Sequence, residues 1–309
     1  MTKREKLLLL GSLYLSQGLP FGFFTQALPV ILRQRGASLP FIGLTSLLAL
    51  PWALKFLWAP AVDRWGRRKS WIVPLQVAAT LLLATLAFIN LEQSVVWLMT
   101  AVLLTNLLAA TQDIATDGLA VDLLGRDERG LGNGVQVAGY RLGMILGGGA
   151  LLVVYSDIGQ RGVFLAMAAM LGLATIPILR HEEHSRVRRS VASPRLWSFV
   201  RQPGMLPWMA LLVLFKIGDA LASSMIRPWM VDAGQSMRGI GLILGAGGFS
   251  TGLLGALLGG LGVEHFGRRR ALLGFGVVHA MALLGYGAAA KIGAPTWAIV
   301  STSLFEHLT

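Results

Sequence analysis

Stretches of about 20 mostly apolar residues recur from one end of this chain to the other, each long enough to cross the hydrocarbon core of a bilayer as a helix. Lipid offers no partner for a backbone N–H or C=O group, so each crossing is predicted to be helical. The reading is nine spans and part of a tenth, at 7–32, 41–62, 71–90, 95–124, 132–156, 162–180, 205–230, 239–263, 271–290 and 297 to the end. Only 14% of the 309 residues are charged and the mean hydropathy is +0.65, which excludes a soluble domain of this length. The fold class is therefore all-α and polytopic. There are no cysteines, so disulfides and thiolate metal sites are excluded.

A net charge of +12 would suggest nucleic acid in a soluble protein. Here 18 of the 27 Lys and Arg residues fall in segments on the side of the N-terminus, 5 on the other side and 4 within spans. That asymmetry is the positive-inside signature. It places the N-terminus in the cytoplasm and removes nucleic acid as a partner; the bilayer takes its place. The longest polar stretch, 181–204, reads as a cytoplasmic linker. It divides a six-span half (1–180) from a second half (205–309) that stops inside its tenth span.

The halves echo each other. Ala59-Pro-Ala-Val-Asp63-Arg64-Trp-Gly66-Arg67-Arg68 follows span two, and Gly260-Leu-Gly-Val-Glu264-His265-Phe-Gly267-Arg268-Arg269 follows span eight, 201 residues later. Gly36 with Phe41-Ile-Gly-Leu44 is likewise matched by Gly234 with Gly239-Ile-Gly-Leu242. Paired halves of this kind are expected where two bundles rock about a central site. The segment after span two resembles the signature loop of the major facilitator superfamily, G-x-x-x-D-R-x-G-R-R/K, with Ala59 for the first glycine. By that resemblance Asp63, Arg64, Gly66, Arg67 and Arg68, with Glu264, Gly267, Arg268 and Arg269, form gating loops that hold neighbouring helix ends through charge contacts.

A narrower resemblance covers residues 14–144. It rests on Tyr14-Leu-Ser-Gln-Gly-Leu-Pro-Phe-Gly22, Lys55-Phe-Leu-Trp-Ala-Pro60, Gln112-Asp113-Ile-Ala-Thr-Asp117 and the glycine-rich run Gly130 to Met144. These blocks resemble the branch that holds AmpG-type muropeptide permeases, acetyl-CoA transporters and RhtX/FptX-type siderophore importers, and are closest to the last. The resemblance implies about twelve spans, so the second half reads as truncated.

Ionisable groups inside spans are expensive and are functional candidates by default. At about 1.5 Å per residue, Lys55, Asp113, Asp117 and Arg141 fall roughly 10–16 Å in from the cytoplasmic side, at one level. Asp113 and Asp117 are four apart and share a helix face, where two carboxylates favour a shared, exchangeable proton. A proton-coupling quartet with Lys55 and Arg141 is therefore expected; the alternative is a static packing network. Asp122, nearer the end of span four, is expected to be merely solvated. Spans one, four, seven and ten line the cavity in the resembling family, which makes Gln17, Gln112, Lys216, Asp219 and Glu306 candidate cavity groups. Pro20 weakens the helix ladder just beyond Gln17 and permits bending.

Other signals are discounted. Gly241, Gly245, Gly248, Gly252, Ala256 and Gly260 make a small-residue packing face on span eight. The Gly130–Gly134 run lacks the strand and lysine of a phosphate loop. His181-Glu-Glu-His184 sits in the charged linker, so no metal and no cofactor are expected. The leading function is secondary import of a small but bulky polar solute, of siderophore or muropeptide class, with protons as the coupling ion, by a monomer in a bacterial-type inner membrane. A non-transporting remnant and a membrane-embedded enzyme are the rivals; the chain is not expected to be an enzyme, because the internal repeat has no role in one.

Overall fold

In a computed structural model, residues 1–89, 95–125, 128–183, 201–293 and 295–308 are described. Among them there is no strand. The helices run Lys3–Gln34, Leu39–Leu57 continued by Ala59–Arg64, Arg68–Leu86, Val95–Leu123, Arg129–Arg180, Met205–Asp232, Met237–Phe266, Arg268–Ile292 and Thr296–Leu308. The 52-residue stretch Arg129–Arg180 is two spans, since Gly159 breaks the helix with φ 62° and ψ −178°. The helical ranges follow the ten apolar segments closely. The loop at 91–94 between spans three and four, and the linker from 184 to 200, lie outside the described residues.

The outer surface of this bundle is apolar. Leu81, Phe88, Val96, Leu173, Leu272, Leu284, Ile292 and Trp297 are each more than 60% exposed, which water would penalise and lipid does not. The protein is a multi-pass membrane protein.

Spans five and eight carry π-turns at Leu146–Ala150 and Ile243–Gly247, and spans one and two depart from a regular helix beside prolines. In span one the ladder loosens to a π-turn at Phe23–Ala27, three residues after Pro20 removes a donor. Span two contains 3-10 stretches at Ser46–Ala49 and Lys55–Leu57, each adjoining a short helix that opens on a proline-bearing turn, Pro51 and Pro60. The second of these stretches carries Lys55.

Span one packs along span five through interleaved glycines. A Cβ on Gly18 would run into the Tyr140 carbonyl, one on Gly22 into the Met144 carbonyl, one on Gly143 into the Leu15 carbonyl and one on Gly147 into the Leu19 carbonyl. Backbone therefore touches backbone over three turns, which small residues alone permit. Span three packs on spans four and six, and spans eight, nine and ten pack together. The halves meet through spans one and two against seven, and five against eight. One hydrophobic core crosses this boundary, joining Phe23, Leu28, Leu152 and Phe164 to Met230, Ile240, Ile243 and Ile299. The expected glycine face of span eight has two partners: Gly241 and Gly245 lie on Gly149 of span five, while Gly248, Gly252 and Gly255 lie on span ten.

The repeat extends to backbone geometry. Gly66 and Gly267 adopt φ of 74° and 79° immediately before the helices at Arg68 and Arg268. Gly36 and Gly234 adopt 81° and 77°, and each is followed by a serine cap, Ser38 accepting from the Phe41 amide and Ser236 from the Gly239 amide. Left-handed backbone is open at little cost only to glycine, which has no Cβ.

Candidate functional site

The intramembrane charges of the first half divide into two contacts. Lys55 donates to Asp113 in an ion pair between spans two and four. Tyr14 of span one donates its hydroxyl proton to Asp117 at 2.9 Å. Lys55 is the first residue of the 3-10 stretch in span two. Three members of the expected quartet are thus brought together. Arg141 is not: its guanidinium lies toward span eight, with Nη1 3.6 Å from the Cβ position of Gly252. Position along the helix says nothing of azimuth, which turns residue 141 toward span eight.

Aromatic rings border the Lys55–Asp113 pair. The ammonium stands 5.7 Å from the Trp52 ring centre, Trp52 meets Phe21 edge-on at 5.5 Å, and Phe21 meets Tyr140 at 5.8 Å. All three rings are partly exposed. None was singled out from the sequence; Trp52 at three residues before Lys55 was the available signal, since i and i+3 share a face. Gln112 is buried and donates to Ser16 Oγ at 3.1 Å, tying span four to span one. Gln17 is also buried, at 1% exposure, with no hydrogen-bond partner for either amide atom. Both glutamines therefore sit between helices in this conformation, not at an open surface.

In the second half, Glu306 is within electrostatic reach of Arg227 and His279, and its carboxylate lies 2.9 Å from His307 Nδ1. Arg227 donates to the Ser223 carbonyl at 3.1 Å. Arg227, His279 and His307 were not among the expected cavity groups, although Arg227 was visible as an in-span charge. The side chains of Lys216, Asp219, Glu264 and Arg268 lie outside the described residues.

The loop after span two joins four helix ends. Arg68 is 5% exposed, with Asp63 at 2.6 Å and Asp122 at 3.9 Å; among the described residues these are ion pairs without hydrogen bonds to Nε or Nη1. Asp122 is accordingly a partner of the loop and more than a solvated end group. Glu183 caps the helix that starts at Arg68, accepting from the Arg68 and Lys69 amides at 2.9 and 2.8 Å. Lys69 in turn donates to the last carbonyls of span six, Leu179 and His181, at 2.7 Å each. Arg64 and Arg269 are exposed.

The Arg68 guanidinium lies flat on span four at Gly118, where a Cβ would overlap it. Gly118 is four residues before Asp122 and so on the same face, the signal that could have found it. Gly118→Ala should displace Arg68 from both acids and cost roughly 1–3 kcal/mol, measured by thermal unfolding in detergent. Arg68→Lys should reverse most of that loss, because a slimmer side chain clears the new methyl.

At the face opposite the N-terminus, Arg33 and Asp232 make a bidentate pair, 2.5 and 2.8 Å, between the ends of spans one and seven. Arg33 also donates to the Ala37 carbonyl at 2.9 Å. This pair joins the two halves at the end of their boundary opposite the N-terminus, next to the shared core. Arg33→Gln should cost about 1 kcal/mol or less in stability, because the pair is partly solvated. It should also raise labelling of a thiol at Ile226→Cys, a buried position in the shared core, by roughly fivefold from the opposite face. Unchanged labelling would show that the core alone keeps that end shut.

Comparisons with known proteins bear on the whole chain. The model of the Major Facilitator Superfamily matches residues 10–306. An anhydromuropeptide permease of Escherichia coli strain K12 is 29% identical over 98% of this chain and 64% of its own length. An uncharacterized protein of Haemophilus influenzae is 29% identical over 91% of this chain and 70% of its own. A protein described as a putative transporter, AmpG 4, of Rickettsia conorii is 26% identical over 85% of this chain and 69% of its own. The chain thus spans about two thirds of the length of these relatives, and less than that of the Escherichia coli permease. With the repeated glycine turns, the two meeting halves and a match over nearly every residue, the chain belongs to the major facilitator superfamily.

Proposed function

We propose that this chain works as a secondary transporter that moves a bulky polar solute of the muropeptide class by alternating access, with protons as the coupling ion. The observation that carries the reading is the intramembrane network of Lys55, Asp113, Asp117 and Tyr14 beside the part-exposed rings of Phe21, Trp52 and Tyr140. Aromatic faces suit the C–H-rich face of a sugar ring, which favours a glycopeptide over a siderophore. The similarity to the Escherichia coli anhydromuropeptide permease supports the same choice. An acid paired to a lysine and a second acid held by a phenol can exchange one proton as the pairs open and close.

The halves are taken as 1–180 and 205–309 joined by the 181–204 linker, acting as a monomer in an inner membrane with the N-terminus in the cytoplasm. The support for that orientation is the positive charge concentrated on the N-terminal side. The reading is transport and not catalysis, without cofactor or metal.

Uptake of labelled anhydromuropeptide by cells producing the chain tests it, with a labelled ferric siderophore and an uncoupler in parallel. Muropeptide uptake that the uncoupler abolishes supports both substrate class and coupling. Siderophore uptake alone would reassign the substrate, and uptake indifferent to the uncoupler would remove protons from the mechanism.

A further inference from the structure

Four cations lie inside spans: Lys55, Arg141, Lys216 and Arg227. Lys55 is paired with Asp113, and Arg227 donates to the Ser223 carbonyl with Glu306 in electrostatic reach. The Lys216 side chain is outside the described residues. Arg141 has neither an ion pair nor a hydrogen bond among the described residues, and its side chain is exposed. It lies mid-span, 12 residues beyond the start of the helix at Arg129, or about 18 Å along the axis. An unpaired guanidinium at that depth is costly unless water or an anion meets it.

Its exposure leaves it accessible to such an anion. Arg141 projects from span five to the glycine ridge of span eight at Gly252, while the His307 ring fills the volume beside Gly248. A Cβ at Gly252 would stand 3.6 Å from Arg141 Nη1 and 3.4 Å from the His307 carbonyl, so among the described residues the guanidinium meets the second half without an acid paired to it. The carboxylates nearby are committed. Asp113 is taken by Lys55, Asp117 by Tyr14, and Glu306 by His307, whose Nδ1 also lies 2.8 Å from the Ser303 carbonyl.

We propose that Arg141 is the anion anchor of the transported solute, taking a carboxylate in the fork of its guanidinium at the boundary between the halves. This rests on the transport reading above and narrows it to solutes that bear a carboxylate. The planar fork matches a carboxylate in two-point contact, which a point charge cannot reproduce. Placing the charge between spans five and eight also lets a bound anion neutralise the boundary that must rearrange during transport.

The chain has no cysteine, so one thiol can report on the site. Gly252→Cys puts it beside Arg141 where the new Cβ has ordinary van der Waals clearance. The purified chain would be labelled with an anionic (sulfonatoethyl) and a cationic (trimethylammonioethyl) methanethiosulfonate. The ratio of anionic to cationic rates should fall by roughly tenfold on Arg141→Gln and recover mostly on Arg141→Lys. A ratio unchanged by Arg141→Gln, or a thiol that neither reagent reaches, would overturn the anion site. Anhydromuramoyl tripeptide should then protect the thiol, and its fully amidated form should not. Equal protection by both would overturn the anchoring role while leaving the muropeptide reading intact. Protection by neither, with the rate ratio still dependent on Arg141, would uphold the anion site and remove muropeptides as its solute.

Discussion

Replacing Lys55 with methionine is expected to destabilise the chain by about 3 kcal/mol, the lower end of the range for stranding a buried charge. The lower end applies because the Lys55 side chain is one-third exposed, whereas that of Asp113 is only 11% exposed. Asp113 then keeps its charge without a counter-ion, or takes up a proton in a site built for an anion; either way the cost falls on the folded state. The double variant Lys55→Met/Asp113→Leu should recover most of the stability, since two apolar groups in place of a buried pair are often neutral. Thermal unfolding in detergent with both single variants completes the cycle. Uptake separates the functions: a pair that only fixes packing predicts a stable double variant that still transports. On the proton-coupling reading the double variant is folded and inactive, and Asp113→Asn is inactive alone.

The second large effect lies in the glycine contact between spans one and five. Gly143→Ala should cost at least about 2 kcal/mol, although alanine is the better helix former, because its methyl has to push two backbones apart. Ordinary overpacking is relieved by a side-chain rotamer; here the obstructing atom is the Leu15 carbonyl. Gly18→Ala should do the same from the other helix. The combination should cost less than the sum, since one separation of the helices relieves both. Gly134→Ala, earlier on the same helix with nothing within 4 Å of its Cβ position, should be neutral or slightly stabilising. Melting temperature and the fraction eluting as a single species would measure all four. Similar losses at Gly134 and Gly143 would mean that glycine acts through chain flexibility and not through this contact.

Gly139, Gly143 and Gly147 recur every four residues in the primary structure, as do Gly18 and Gly22. That stripe was readable as a packing surface, yet the run was noticed only as a resemblance and as a false phosphate loop. Its partner was not readable. Small-residue stripes on spans one, five and eight are alike, and which pair touches depends on how the helices are arranged around the half.

The same division holds across the molecule. Lipid demands internal hydrogen bonding, so apolar runs of bilayer length had to become helices, and the charge asymmetry of their ends followed the chain alone. The two copies of the glycine turn, at Gly66 and Gly267, were likewise local, because left-handed backbone is a property of a single residue. Depth, too, was local: 1.5 Å per residue placed Lys55, Asp113 and Asp117 at a common level. Azimuth and partner were decided by tertiary structure. Lys55, in a 3-10 turn, meets Asp113, Tyr14 arrives from 103 residues away to hold Asp117, and Arg141 faces the other half instead of the acids. A guanidinium and a carboxylate at one depth attract only when their helices turn them toward each other, and that rotation is set by glycines meeting backbone on spans one, five and eight.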